Sequence, residues 1–198
     1  MYLRFFLPSY LVAYVLAAFA WRTYVVRKTT GINPVTFKGS DSAHDFVGQI
    51  FKLLFAIIVA VVIVFSFFAW GYEYLLPIAW LERLSVRWIG VALLLLSLVW
   101  TVVAQAQMGQ SWRIGVDSER QTELVQQGVF RISRNPIFLG MMITLLGLFL
   151  VLPNGIMLLT LMLGVVIIGI QVRLEEEHLR KLHGAEYVDY YRRVRRWI

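Results

Sequence analysis

The sequence contains no cysteine, which removes disulfides, thiolate metal sites and cysteine nucleophiles from the chemistry open to it. Acidic residues are scarce, with 12 Asp and Glu against 19 Lys and Arg in 198 residues and a net charge of +7. No internal repeat, low-complexity segment or glycine-rich nucleotide fingerprint is present. The most telling shortage is of charge along the chain. From Asn135 to Val172, 38 consecutive residues pass without Asp, Glu, Lys, Arg or His. A soluble helix long enough to use that run would be apolar all round, so the run belongs in a bilayer. With 59% hydrophobic residues and a mean hydropathy of +0.69, the whole chain agrees.

Three more stretches lack charge and approach the roughly 20 residues of a helical span: Phe5 to Trp21, Leu53 to Tyr72 and Trp88 to Trp112. Pro153-Asn154-Gly155 is a turn signal that divides the long run into Pro136 to Leu152 and Ile156 to Val172. The expectation is an all-α polytopic membrane protein of about five transmembrane helices, the fourth and fifth forming a hairpin. A single domain covers residues 1–198. A signal peptide is the other reading of residues 1 to 21, but no small-residue cleavage site follows the apolar run, and a mature helix is expected.

With five spans, 16 of the 19 basic residues fall on one side and only Arg4, Arg83 and Arg87 on the other. Lysine and arginine collect in cytoplasmic loops, so the N-terminus is expected outside and the C-terminus in the cytoplasm, in a bacterial inner membrane. The same rule accounts for the positive charge without a nucleic-acid partner.

Thr29 to Gln49, with Gly31, Pro34, Gly39, Asp41 and Asp45, reads as a solvated linker. Glu73 to Arg87 is a short loop with Tyr72, Tyr74, Trp80 and Trp88 in the positions of an aromatic belt. Residues 105–134 are polar yet carry Val116, Leu124, Val125, Val129, Phe130 and Ile132, anchors that a disordered linker lacks. That segment is expected to fold back on the membrane face. From Arg173 onward an amphipathic helix emerges from the fifth span, with Gly184 as a break and arginines 192, 193, 195 and 196 around Trp197.

Three clusters combine groups capable of chemistry. Arg131, Arg134 and Asn135 precede Pro136, a helix start whose free N–H groups favour an anion; a pair of snorkelling arginines has the same composition. Arg173-Leu174-Glu175-Glu176-Glu177 sets three carboxylates against the membrane, a repulsion that a cationic or hydroxyl-rich ligand would offset. The other reading is a solvated turn with Glu176–Arg180 and Glu177–Lys181 pairs. Tyr187 and Tyr190 share a helical face, as cover for a planar group or as interfacial tyrosines.

In order, "LVQQGVFRISRNPIFLG", a helical hairpin and "RLEEEHLRKLHGAEYVDYYRRVRR" resemble the isoprenylcysteine carboxyl methyltransferase and phospholipid methyltransferase superfamily of membrane enzymes. The resemblance covers Met108 to Arg196. It implies an S-adenosylmethionine-dependent methyltransferase whose cofactor pocket lies at the cytoplasmic face and whose lipid-like or prenylated substrate enters from the bilayer. Carried onto this chain, the cofactor-binding residues are Val125 and Gly128, then Arg134, Asn135, Pro136, Phe138 and Gly140, the glutamates Glu175 and Glu176, and Tyr187 and Tyr190. Arg173, Arg134 and Asn135 stand at the catalytic positions, Arg195 or Arg196 fills a last motif position, and no metal is implied. Asn135 replaces the histidine of the pattern and Phe138 its tyrosine. Asparagine still donates and accepts hydrogen bonds but does not titrate near neutral pH, and phenylalanine has no hydroxyl. A nicotinamide-dependent membrane reductase and a non-catalytic lipid-binding protein are the other functions that this architecture admits.

Overall fold

The computed structural model describes residues 2–31, 41–113 and 123–198. Helix α1 (Tyr2–Val15) passes through one π-helical turn (Leu16–Ala20) into α2 (Trp21–Thr30), giving a continuous 29-residue rod. Gly31 ends it with φ +68°, its N–H on the Arg27 carbonyl at 2.9 Å, the left-handed cap that glycine adopts without strain. Next come α3 (Ala43–Phe67), α4 (Leu84–Met108), α5 (Pro136–Val151), α6 (Gly155–His183) and α7 (Ala185–Arg193). Among the described residues the only β feature is an isolated bridge between Pro77 and Asn154.

The protein is therefore an all-α polytopic membrane protein. Among the described residues, four helical stretches have the length and apolarity to cross a bilayer: Tyr2–Thr30, Ala43–Phe67, Leu84–Ser111 and Gly155–His183. The fifth, α5, has 16 residues, about 24 Å of helix against a hydrocarbon core of roughly 30 Å. Protein surrounds its ends, since Ser133, Asn135, Leu152 and Asn154 are all buried. Its terminal backbone groups thus avoid lipid, where an unpaired N–H or C=O is costly.

Several helix boundaries differ from the charge-free stretches, because a helix continues beyond the hydrocarbon as long as its backbone bonds are met. The expected linker from Thr29 to Gln49 is one such correction. Thr29 and Thr30 end α2, and α3 begins at Ala43, where Ser42 accepts the Asp45 N–H at 3.2 Å as an N-cap. Asp45 is buried rather than solvated. Pro34, Lys38 and Gly39 of that linker, and Val116 and Arg120 of the third loop, lie outside the described residues.

On the face opposite α7, two 3-10 turns (Ala69–Leu75 and Ala79–Leu81) close over the α5–α6 hairpin. Ile78 N–H donates to the Pro153 carbonyl at 2.8 Å and Gly155 N–H to Leu76 at 2.9 Å. Asn154 is wholly buried and caps α6 through the Met157 N–H at 2.9 Å. Trp80 and Trp88 are exposed at this end, where an aromatic belt meets headgroups.

Helices α4 and α5 pack closest. A Cβ on Gly90 would come within 2.8 Å of the Gly147 carbonyl and 2.9 Å of the Val151 nitrogen, and one on Gly147 within 3.0 Å of Leu94. Small residues bring two backbones together in a medium where apolar burial alone gives no drive to associate. The same helices share a buried polar bond, from the Thr144 hydroxyl to Ser97 at 2.9 Å. Leu7, Tyr10, Tyr14 and Ala18 of the first rod pack into the same core with Ile58, Val61 and Val62 of α3.

Candidate functional site

The site forms where the N-terminal end of α5, the polar end of α6 and the C-terminal tail meet. Pro136 occupies the first turn of α5, where its missing N–H costs nothing. Directly before it, Arg134 and Asn135 turn toward α6. Ser133 makes the corner: its hydroxyl accepts the Asn135 N–H at 3.1 Å and donates to the Arg196 carbonyl at 3.0 Å. The Trp100 indole of α4 donates to the Pro136 carbonyl at 2.8 Å.

Glu176 is the centre. Oε1 accepts from Arg134 Nε at 3.3 Å, Arg134 Nη2 at 3.2 Å and Asn135 Nδ2 at 3.0 Å. Arg196 lies along the other edge, with Nε 3.2 Å from each oxygen and Nη2 2.8 Å from Oε2. The side chains of Glu176 and Arg134 are only 8% and 5% exposed. Ion pairs this buried repay their desolvation only when the hydrogen bonding is complete, and here the roughly four acceptor positions of a carboxylate are all engaged. Charge follows the bonds, and the Glu176 contact holds the Arg196 guanidinium above its ordinary range.

The tail is stitched to the α5 end by backbone. Arg134 N–H donates to the Arg195 carbonyl at 2.9 Å, and Arg134 Nη1 donates to the carbonyls of Val194 and, at 3.1 Å, Tyr191. The Arg134 guanidinium also lies over the Tyr191 ring, 4.0 Å from its centroid, where the ring quadrupole attracts a cation. Gly184, with φ +55°, breaks α6 from α7 and so lets the tail turn back.

Segment 123–131 docks against α7. Tyr190 donates to the Phe130 carbonyl at 2.7 Å, and Gln126 bridges Glu186 at 2.8 Å and Arg193 at 2.9 Å. Phe130 is buried and Leu124, Val125 and Val129 are half-buried, so the described part of this segment lies against the protein. Ile132, an expected anchor, is exposed. Gly128 adopts φ +60°, and the Gln107 amide fills the space where a side chain would stand, its oxygen accepting the Val129 N–H at 2.7 Å.

Of the residues singled out from the sequence, Arg134, Asn135 and Glu176 meet directly, and Pro136 lies against them. Glu175 is half-buried and has no hydrogen bond among the described residues. Tyr187 and Tyr190 are buried and meet edge to face, 6.1 Å between centroids. Burial raises both phenols, that of Tyr190 to about 12, and the Tyr187 hydroxyl has no partner. Phe138 is half-buried, while Gly140 faces Thr101 of α4 and serves helix packing. Arg173 is exposed and reaches back to the Gly169 carbonyl at 2.7 Å, and Arg131 is exposed.

The pairing expected on α6 is half corrected. Glu177 and Lys181 do pair at 2.7 Å, but Glu176 bonds Arg134 and Arg196, and Arg180 instead lies 5.2 Å over the Tyr191 ring. Packing against α5 turned Glu176 inward, out of reach of its own helix. Ser133, Gln107 and Gln126 are not singled out by the sequence. Their only sequence signal is an amide or hydroxyl beside an apolar anchor.

A cleft of about 170 Å³ opens beside Glu176, lined by Arg173, Glu176, Glu177, Arg180, Tyr191 and Arg196. It is smaller than the roughly 300 Å³ at which pockets for drug-sized ligands begin.

Fold and site together define a polytopic membrane protein with a buried carboxylate–guanidinium junction at one end of its helical hairpin. The chain belongs to the phospholipid methyltransferase family, whose model matches residues 85–186, from the start of α4 into the first turn of α7. No curated protein matches it. The matched region includes Arg134, Asn135, Glu175 and Glu176 and ends before Tyr187 and Arg196.

Proposed function

We propose that the protein is an S-adenosylmethionine-dependent methyltransferase acting on a lipophilic substrate at the cytoplasmic membrane face. The observation that carries this reading is the Glu176 junction, in which Arg134, Asn135 and Arg196 converge on one buried carboxylate near the unpartnered Tyr187 hydroxyl. The donor set fits the cofactor, a zwitterion with ribose hydroxyls: guanidiniums for its carboxylate, carboxylates for its ammonium and hydroxyls.

S-adenosylmethionine held there would supply an electrophilic methyl carbon, to which an in-line nucleophile would bond as the carbon–sulfur bond breaks and S-adenosylhomocysteine leaves as a neutral thioether. Neither Glu175 nor the buried Tyr187 lines the cleft, and either would reach the cofactor only once the junction opens. Glu176 is saturated, and a ligand reaches it only by replacing a donor. Arg196, at 29% the more exposed of the two arginine side chains on Glu176, is the one to give way. Arg134 and Asn135 remain to hold the carboxylate in place, and the small cleft enlarges as the Arg196 side chain leaves it.

Asn135 has no proton-accepting role near neutral pH. The acceptor therefore arrives already nucleophilic, as a carboxylate such as that of a prenylated cysteine does, or loses its proton to another group, as a phospholipid amine must. Rate enhancement then rests on proximity and alignment, with Arg173 at the hydrocarbon boundary meeting an anionic substrate end. Transfer of labelled methyl from S-adenosylmethionine into solvent-extractable lipid, with prenylcysteine carboxylates and phospholipid amines offered in parallel, tests the reading. Label in neither class, with the protein folded in detergent, would overturn it.

A further inference from the structure

We propose that a water molecule is held among five hydroxyls in the middle of the helix bundle, where it joins α1 to α4 and α5. Tyr10 and Tyr14 come from α1, Ser97 and Thr101 from α4 and Thr144 from α5, and each is less than a tenth exposed. All five lie inside the charge-free stretches, at least five residues from either end, so bulk water is about 7 Å or more of hydrocarbon away. An unpaired hydroxyl at that depth is costly. Yet two of the five, Tyr10 Oη and Thr101 Oγ1, make no hydrogen bond within the protein.

Their neighbours have no proton to spare but can still accept one. The Ser97 hydroxyl donates to the Leu94 carbonyl at 3.0 Å, and Thr144 donates to the Gly140 carbonyl at 3.0 Å or to Ser97 at 2.9 Å. Each oxygen keeps a lone pair for a further donor. The Tyr10 phenol stands beside Ser97 and Thr144, and the Tyr14 phenol beside Thr101 and Thr144. A water among them takes the Tyr10 proton and donates to those lone pairs, giving it the partners that a buried water needs. With no charged side chain in the set, the site suits water rather than an ion. The π-helical turn Leu16–Ala20 follows Tyr14 directly, and turns of this kind gather at functional sites. Apolar contact alone gives helices in a bilayer no drive to associate. The hydrated contact therefore fixes how α1, outside the family-matched residues 85–186, seats on α4 and α5 within them. It involves no methyl donor and stands apart from the reading above.

A crystal structure of the full chain grown in a lipid mesophase, at a resolution that shows ordered water, tests the site. A compact peak is expected within hydrogen-bond distance of Tyr10 Oη and of at least one of the Ser97, Thr101 and Thr144 hydroxyls. A dry cluster would overturn the proposal, as would density that runs on toward the lipid in the manner of a bound organic molecule. Thermal unfolding of Tyr10→Phe in detergent gives a second, independent reading. With the water in place this substitution removes a hydrogen bond, so the melting temperature should fall by several degrees. A phenol with no partner is better replaced by an apolar ring of the same shape. An unchanged or raised melting temperature in Tyr10→Phe would therefore overturn the site.

Discussion

Glu176 is buried with every acceptor position taken by Arg134, Asn135 or Arg196, and that saturation sets its sensitivity to substitution. Glu176→Gln keeps the shape but leaves the buried Arg134 guanidinium without a counter-charge, a change expected to cost about 3 kcal/mol, read as a lower melting temperature in detergent. Asn135→Asp places a second carboxylate where an amide now donates at 3.0 Å. It should destabilise more than Asn135→Ala, and the loss should shrink as pH falls and the pair takes up a shared proton. Thermal unfolding from pH 8 to pH 5 checks this, and a loss independent of pH would contradict it. At this scale the sequence was partly legible. Arg134, Asn135 and Glu176 stood out because polar groups at the mouth of an apolar run need a reason. The pairing itself did not, because Arg196, one of two residues offered for a last motif position, reaches Glu176 only through the break at Gly184, and the i,i+4 rule favoured Arg180 instead.

At the scale of helices and segments, the close approach of α4 and α5 leaves no room at Gly90, whose added Cβ would meet Gly147 and Val151 backbone. Gly90→Val is expected to cost about 2 kcal/mol or more through overpacking, whereas Gly169→Ala, which meets only the end of the Arg173 side chain at 3.3 Å, should be nearly neutral. Equal melting temperatures for the two variants would contradict the packing account. The docking of segment 123–131 on α7 makes its own prediction. Tyr190→Phe leaves the Phe130 carbonyl short of its 2.7 Å bond and should cost about 1 kcal/mol, with faster amide exchange in residues 123–131. Helix existence was readable from the charge-free runs and the hairpin from Pro153-Asn154-Gly155. Helix ends were not, because charge marks the edge of the hydrocarbon while capping marks the edge of the helix, as Ser42 and Gly31 show. The α4–α5 contact was only half visible, since a glycine in a membrane helix does not disclose which neighbour it faces.

At the scale of the whole molecule, the hairpin returns the chain to the side on which α7 and the tail lie, so the Glu176 junction and the 3-10 cap at Pro77 and Asn154 stand at opposite ends of the helices. From the distribution of basic residues we propose that the junction faces the cytoplasm. Because the chain has no cysteine, single cysteines introduced at Tyr74 and Ile198 report orientation without background. In intact cells an impermeant thiol reagent should label position 74 and spare position 198, and the reverse pattern would invert the topology. The central claim is that the junction binds S-adenosylmethionine, and calorimetric titration of the detergent-purified protein with that cofactor and with S-adenosylhomocysteine tests it most directly. The account predicts binding in the micromolar range by the wild type, lost in Glu176→Ala. A folded wild-type protein that binds neither compound, or a Glu176→Ala variant that binds them equally well, would contradict it.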